Sequence, residues 1–296
     1  MLAAPFRLLV DADRYTLAVS VPYALALGAV ATEVAWLARD RGPRRRRILV
    51  SAATASAMAA GAQLVGLVYT PTLHFLWAAL ATNRYEPAAA LWQAHPALGA
   101  AVAFVAWDLS GWLYHVVGHH TRVGWAAHQA HHSGQEFDLT LGLRQTWFPF
   151  HGLLIQPLLA LAGFDLRVIF VCAAVSNCWQ LLEHTSLPLR LPRWLEAVVM
   201  TPAAHRHHHA RKARPVNLGP VLTVWDRLAG TWVPPSHPAP VAYGLTVPAS
   251  ANPMVIELAG WRHLTRGPSH REPACLPWPG TGKEREASDD QDLRVC

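Results

Sequence analysis

Apolar residues in this chain come in long unbroken runs. They show neither the alternation of a half-buried strand nor the three-to-four spacing of a surface helix. The first run, Thr16–Ala38 (TLAVSVPYALALGAVATEVAWLA), has 23 residues and one charge, Glu33. About 20 apolar residues are enough to cross a bilayer core. The run is long for a signal-peptide core and lacks a small-residue cleavage signature, so it reads as a retained span. Glu33 reads as a charge close to the interface, without a chemical role. RDRGPRRRR follows at Arg39–Arg47, with six Arg and one Asp. The positive-inside rule makes it a cytoplasmic loop. Ile48–Tyr69 returns across the membrane. Leu73–Ala81 is too short to span and, with Trp77, Tyr85 and Trp92 nearby, reads as interfacial or re-entrant on the far side. Leu98–Val117 crosses back. Phe148–Gly163 and Arg167–Leu182 form a last hairpin, turning at FDLR on the far side, with arms short enough to dip in without fully crossing.

The pattern predicts an all-α integral membrane protein of about four transmembrane helices with a cytoplasmic helical cap. Residues 1–97 are expected to hold the N-terminal spans and an interfacial segment, and 98–233 a histidine-rich domain. Residues 234–264 read as an ordered cytoplasmic extension and 265–296 as a disordered tail, where Pro, Gly and mixed charge dominate.

Composition agrees. Charged residues make up 15% of the chain, against about 25% for a soluble domain. The 13 Trp suit membrane interfaces. The net charge of +6 is locally concentrated, with no recognition helix, zinc finger or basic-aromatic strand, so no nucleic-acid partner is expected. The four Cys, at 172, 178, 275 and 296, have no CxxC spacing; Cys172 and Cys178 fall in an apolar run as inert thiols.

What composition leaves unexplained is 17 His. On a helix, residues three and four apart share a face. His115 and His119 have that spacing, as do His128, His131 and His132, and again His205, His208 and His209. Each group can aim its imidazoles at one point, and His184 adds a further ligand. The order of the spans carries all four groups to the face that holds the Arg loop. Nine imidazoles exceed the four that one zinc needs and suit two metals of higher coordination number. Imidazole accepts Fe, Zn, Cu and Ni, so ligand type alone does not select iron. His120 and His207 point off these faces, and His74, His95, His151, His237, His263 and His270 are scattered. Within HRHHHARKAR (His205–Arg214), Arg206, Arg211, Lys212 and Arg214 could equally hold anionic lipid.

Metal-bound histidines pass their second N–H to a carboxylate or carbonyl. Asp108 lies seven residues before His115 on the same helix face. A carboxylate in an apolar span needs a partner, and a ligand imidazole is the expected one. Glu136, Asp138, Glu183 and Asp226 also lie near the clusters, where interface salt bridges serve as well.

The ordered motifs DLSGWLYHVVGH, WAAHQAHHS, LLEHTSLP, TPAAHRHHH and NLGPVLTVWDRLAGTW together resemble the fatty acid hydroxylase and sterol desaturase superfamily of membrane di-iron enzymes, over Ala106–Trp232. The resemblance puts the family's HxxxH on His115 and His119, and its first HxxHH on His128, His131 and His132. The lone downstream histidine falls on His184, and the last HxxHH on His205, His208 and His209. Val116 stands where the family often has Arg, and Pro215 where it usually has an acid two residues before the Asn of NLG. Gly134–Trp147 (GQEFDLTLGLRQTW) is most similar to the alkylglycerol monooxygenase branch, which oxidises an ether-linked alkyl chain using a pterin.

The resemblance implies two iron ions per chain, with zinc able to substitute in recombinant protein, and an O₂-dependent hydroxylation or desaturation of a lipid C–H bond. The protein would supply the dry cavity and the positioning. Electrons must come from an external ferredoxin, cytochrome or pterin, because the chain has no CxxCH, GxGxxG or iron–sulfur spacing. Two other classes fit less well. A metal transporter places its ligands near the bilayer midplane, whereas these gather at span ends. A non-catalytic relative has no need of all nine ligands.

Overall fold

The computed structural model describes residues 12–148, 150–189, 191–211, 214–235, 242–245 and 250–265. His237, His270 and the 266–296 part of the expected tail lie outside them. Helix α1 (Ala12–Leu37) leads through the Arg loop into α2 (Pro43–Ala81), then α3 (Glu86–Ala94), α4 (Pro96–His120) and α5 (Arg122–His128). Two 3₁₀ turns follow, at His131–Ser133 and Leu139–Leu143. Then come α6 (Phe150–Leu161), α7 (Leu166–Leu182), α8 (Arg193–Glu196), α9 (Pro202–His208), α10 (Val224–Ala229) and α11 (Pro253–Thr265). Among the described residues there is no strand, only the isolated bridges Val199–Leu222 and Ala210–Tyr243.

Three helical stretches, Tyr15–Leu37, Pro43–Thr72 and Pro96–His120, are long and apolar enough to cross a membrane. Their outward faces stay apolar, as Leu25 at 71% and Val68 at 77% exposure show, which suits lipid and not water. Helices α6 and α7 have 12 and 17 residues; at about 1.5 Å per residue both fall short of a core about 30 Å thick. Among the described residues, three helices of spanning length and two shorter apolar ones therefore stand where about four spans are expected.

Two expectations change. Leu73–Ala81 is not a separate interfacial piece but the end of α2, which runs through Pro71 for 39 residues. A proline removes one ladder bond and crowds the preceding turn, and this helix continues past both. Glu33 does not sit at the surface: it is buried at 6% exposure. Its carboxylate accepts from Leu139 N and Ser186 N, both at 2.7 Å, and from the hydroxyls of Thr185 and Ser186. A charge buried in an apolar helix has to be met by donors, and here they come from the two segments that flank the histidine cluster.

The membrane core forms where α4, α6 and α7 meet, around Ala103, Trp107, Leu159, Ile169 and Ala173. A second cluster joins α1 to α7 and to the Leu139 turn. Helix α11, within the expected extension, packs on α5 and α2. Arg47 Nε meets Glu136 Oε1 at 2.7 Å, so the Arg loop lies at the same end of the bundle as the segment after His132.

Candidate metal centre

The short helices that carry histidines start on strong local signals. Thr121 caps α5 by accepting from Gly124 N at 3.0 Å. Thr201 caps α9 by accepting from Ala204 N at 3.3 Å, with Pro202 at the first helical position. The last turn of α4 supplies His115 and His119, and the end of α7 leads into His184.

The structure brings all nine expected histidines together, in two groups. His115, His119, His128, His132 and His208 form one; His131, His184, His205 and His209 form the other. Within each group the ligand atoms lie within 4.8 Å of one another. His120 and His207 belong to neither. Each HxxHH is split between the groups instead of aiming at one point. Pairs four apart stay together (115 with 119, 128 with 132, 205 with 209), while His131 and His208 cross over. Neighbouring residues on a helix diverge by about 100°, so His131 and His132, or His208 and His209, face different centres.

In the four-histidine group, His184 Nε2 lies 3.2 Å from His131 Nε2, 3.2 Å from His209 Nε2 and 3.0 Å from His205 Nε2. In the five-histidine group, His132 Nε2 lies 3.1 Å from His128 Nε2 and 3.2 Å from His208 Nε2. Three of the opposite ring nitrogens are held by backbone carbonyls. His184 Nδ1 donates to Gln180 O at 2.7 Å, His115 Nδ1 to Leu218 O at 2.8 Å and His208 Nδ1 to Val216 O at 2.9 Å. A carbonyl only accepts, so these Nδ1 atoms carry the proton and the Nε2 atoms are bare lone pairs in the neutral ring. Burial, and then the neighbouring imidazoles, hold His128, His131, His132, His205 and His209 well below the usual histidine range. Burial, aided by the neighbouring His115 and opposed by the Gln180 and Leu181 backbone, takes His184 down to about 4.

Lone pairs turned on one another at this distance repel unless an electrophile sits among them, and one proton cannot serve the three nitrogens around His184 Nε2. Two nitrogens each about 2.1 Å from one ion lie about 3.0 Å apart at a right angle and about 3.4 Å apart at the tetrahedral angle. The observed 3.0–3.2 Å separations fit a metal of coordination number above four. The residues present therefore fit a metal at each group.

The loop 217–223 supports the five-histidine group. Asp226 Oδ1 accepts from Leu218 N at 2.9 Å and Asp226 Oδ2 from Gly219 N at 2.7 Å, which places the Leu218 carbonyl under His115. Asn217, at φ 55°, is tied to α9 through Ala204 O at 3.0 Å. Gly111 lets the loop approach α4: a Cβ there would meet Pro220 Cγ at 2.6 Å. Asp108 belongs to this same support, which corrects the expectation that it holds a ligand imidazole. Its carboxylate accepts from Trp225 Nε1 at 2.7 Å, Val221 N at 3.0 Å and Leu222 N at 3.3 Å. His115 already has its carbonyl, so Asp108 acts one step out, on the loop.

Gln145 carries no distinctive signal in the sequence, and Glu183 only its place beside His184. Gln145 Nε2 lies 3.4 Å from His131 Nδ1. The Glu183 carboxylate lies 3.6 Å from His205 Nδ1, and burial pushes it well above the usual carboxylate range. Beside it is a cavity of about 620 Å³, walled by Trp36 and Thr32 of α1, Trp179 and Leu182 of α7, Leu187 and Leu189, and bounded by Glu183 and Pro202. It is almost entirely apolar; none of the nine histidines lines it, and Glu183 stands between it and His205 of the four-histidine group. No sequence pattern announces it, because its wall comes from segments far apart in the chain.

The described residues thus combine helices only, three of them of spanning length, with a histidine cluster able to hold metal at one end of them. Residues 100–231 match the fatty acid hydroxylase family. It is 33% identical to an alkylglycerol monooxygenase of Xenopus tropicalis over 153 residues, which cover 50% of this chain and 33% of the relative. The corresponding Homo sapiens protein is 29% identical over 49% of this chain and 33% of its own length. The ornithine lipid hydroxylase OlsE of Rhizobium tropici is 29% identical over 47% of this chain and 39% of its own length. The chain thus spans about a third of the length of the alkylglycerol monooxygenases it matches. No solved structure matches it.

Proposed function

We propose that this chain is a multi-pass membrane di-iron oxygenase that hydroxylates a C–H bond in the hydrocarbon chain of a lipid. The observation that carries the reading is the pair of facing groups of bare imidazole nitrogens beside an apolar cavity. His115, His119, His128, His132 and His208 would hold one iron, and His131, His184, His205 and His209 the other. The metals, when bound, supply the reductive activation of O₂ by which one oxygen atom enters the C–H bond and the other leaves as water. This takes two electrons and two protons from an external ferredoxin, cytochrome or pterin donor.

The chain's own residues do the rest. The imidazoles stay neutral because they are buried, which is the form that binds metal. Trp36, Leu182, Leu187 and Leu189 offer a hydrocarbon chain an apolar wall, separated from the four-histidine group by Glu183. The relatives carry the names of a monooxygenase and a hydroxylase, which favours hydroxylation over desaturation. The shared end of the Arg loop and the histidine groups, with the positive-inside rule, supports a cytoplasmic active site. A metal transporter fits less well, because the nitrogens close on two points at span ends and not on a path through the bilayer.

Lipidomics of cells with and without the gene tests this reading, alongside metal analysis of the purified protein. The expected result is a lipid that gains one oxygen only when the gene is present, and two metal ions per chain. A loss of two hydrogens would make the enzyme a desaturase. No lipid change together with fewer than two ions would overturn the reading.

A further inference from the structure

His205 is the unusual member of the four-histidine group. His184 gives its Nδ1–H to a backbone carbonyl, as do His115 and His208 in the other group. His205 Nδ1 is buried and makes no hydrogen bond. What faces it is Glu183, with Oε2 at 3.6 Å and a side chain 1% exposed. Both Glu183 oxygens also lack a hydrogen-bond partner. Asp108 and Asp226 are as deeply buried and Glu33 is nearly so, and each is met by several donors.

The two deficits match. His205 Nε2 is turned toward His184 Nε2 and His209 Nε2, at 3.0 and 3.1 Å. For Nε2 to present a lone pair there, Nδ1 must carry the proton, and a buried N–H needs an acceptor. A carboxylate held in an apolar wall needs a donor and a cation within reach. A shift of under an ångström closes 3.6 Å to the roughly 2.7–2.9 Å of a charge-assisted hydrogen bond.

We propose that Glu183 is the positioning residue of the four-histidine centre, accepting the Nδ1–H of His205 and so fixing the tautomer and ring orientation that turn Nε2 to the metal. The inference rests on the reading that His205 holds a metal ion. It assigns a carboxylate to one centre only: in the five-histidine group, the Nδ1 partners of His115 and His208 are carbonyls.

The test is a Co²⁺ titration of the full-length, detergent-solubilised protein after chelator treatment, comparing wild type with Glu183→Gln and Glu183→Leu. Wild type is expected to take up two ions. Glu183→Gln should bind one as wild type does and the other about 10–100-fold more weakly, with the d–d spectrum altered for that ion alone. Glu183→Leu should lose the same ion more completely. A measurement on the wild type does not depend on either variant folding. In Zn²⁺-loaded, ¹⁵N-histidine protein, the His205 Nδ1–H proton should resonate downfield of that of His184, because a carboxylate is the stronger acceptor. Equal affinities in wild type and Glu183→Gln overturn the proposal. So does an equal loss at both ions with a lower melting temperature, or a His205 Nδ1–H no further downfield than that of His184. Wild-type protein that takes up fewer than two ions overturns the dimetal reading as well.

Discussion

The two histidine groups use one kind of ligand in unlike surroundings. The five-histidine group, in which His115 and His128 are only partly buried, is braced by the 217–223 loop, held by Asp108 and Asp226, and by the backbone carbonyls that hold His115 and His208. The four-histidine group has one imidazole fewer, a bare carboxylate behind His205, and the apolar cavity alongside. Equal donor sets would make two equivalent metals. The difference gives one group a loop-supported frame and the other a fully buried set with a carboxylate and an apolar cavity behind it.

The largest expected effect comes from His184→Ala. Its Nε2 is the hub of its group, within 3.2 Å of three other Nε2 atoms. Three imidazoles remain, and no neighbouring side chain can replace the fourth. Lipid turnover should fall to background and metal content to one ion per chain, with the five-histidine centre still loaded. His119→Ala leaves four imidazoles in its own group and should keep both ions, one bound more weakly. Elemental analysis of the two variants decides it, and two retained ions with normal turnover in His184→Ala would make the two groups equivalent after all.

Next in size is the response of the metal-free protein to acid. In the unfolded chain each imidazole takes up its proton near pH 6.5. In the fold, burial delays this to about pH 4 at His184. Between those values the unfolded chain binds more protons, so folding stability falls as pH drops from about 6.5 toward 4. His184 alone accounts for up to about 3 kcal/mol of that loss, at about 1.4 kcal/mol per pH unit. Thermal melts of chelator-treated protein from pH 7.5 to 4.5 should show a steep decline below pH 6.5. A flat profile would mean that the imidazoles titrate as if exposed.

Asp108→Asn separates loop support from ligand support. An asparagine amide would turn a donor toward the N–H groups of Val221, Leu222 or Trp225, at a cost of about 1–3 kcal/mol. The melting temperature should fall, and metal affinity should drop at the five-histidine centre only, through Leu218 and His115. A selective loss at the four-histidine centre would refute this placement of Asp108.

The outline of this arrangement is legible in the sequence. Run lengths locate the spans, and the spacings of three and four single out nine histidines. Their division into five and four is not legible there, because an HxxHH treated as one face hides the roughly 100° between adjacent residues. Asp108 drew attention as a charge in an apolar run, yet its donors lie more than a hundred residues away, on a loop with no periodicity to show where it folds back. Glu33 is the same case, met by segments around 139 and 186. Glu183 looks like an ordinary acid at a helix end; only the placement of α9 shows that it faces His205.

The smallest effect belongs to Arg47. Its Nε meets Glu136 Oε1 at 2.7 Å, with the Arg side chain 53% exposed and the Glu side chain 21% exposed. An exposed pair of this kind contributes about 0–1 kcal/mol, and salt screens it. Its position still ties it to one centre. Glu136 precedes Phe137, whose ring stacks on His184 at 5.8 Å and meets His209 at 5.7 Å. Arg47→Ala should therefore lower stability by under about 1 kcal/mol, with the difference vanishing in high salt. Any change in metal affinity should be confined to the four-histidine centre. A selective effect there, however small, would extend the asymmetry to the surface, whereas an equal effect on both ions would confine it to Glu183 and the cavity.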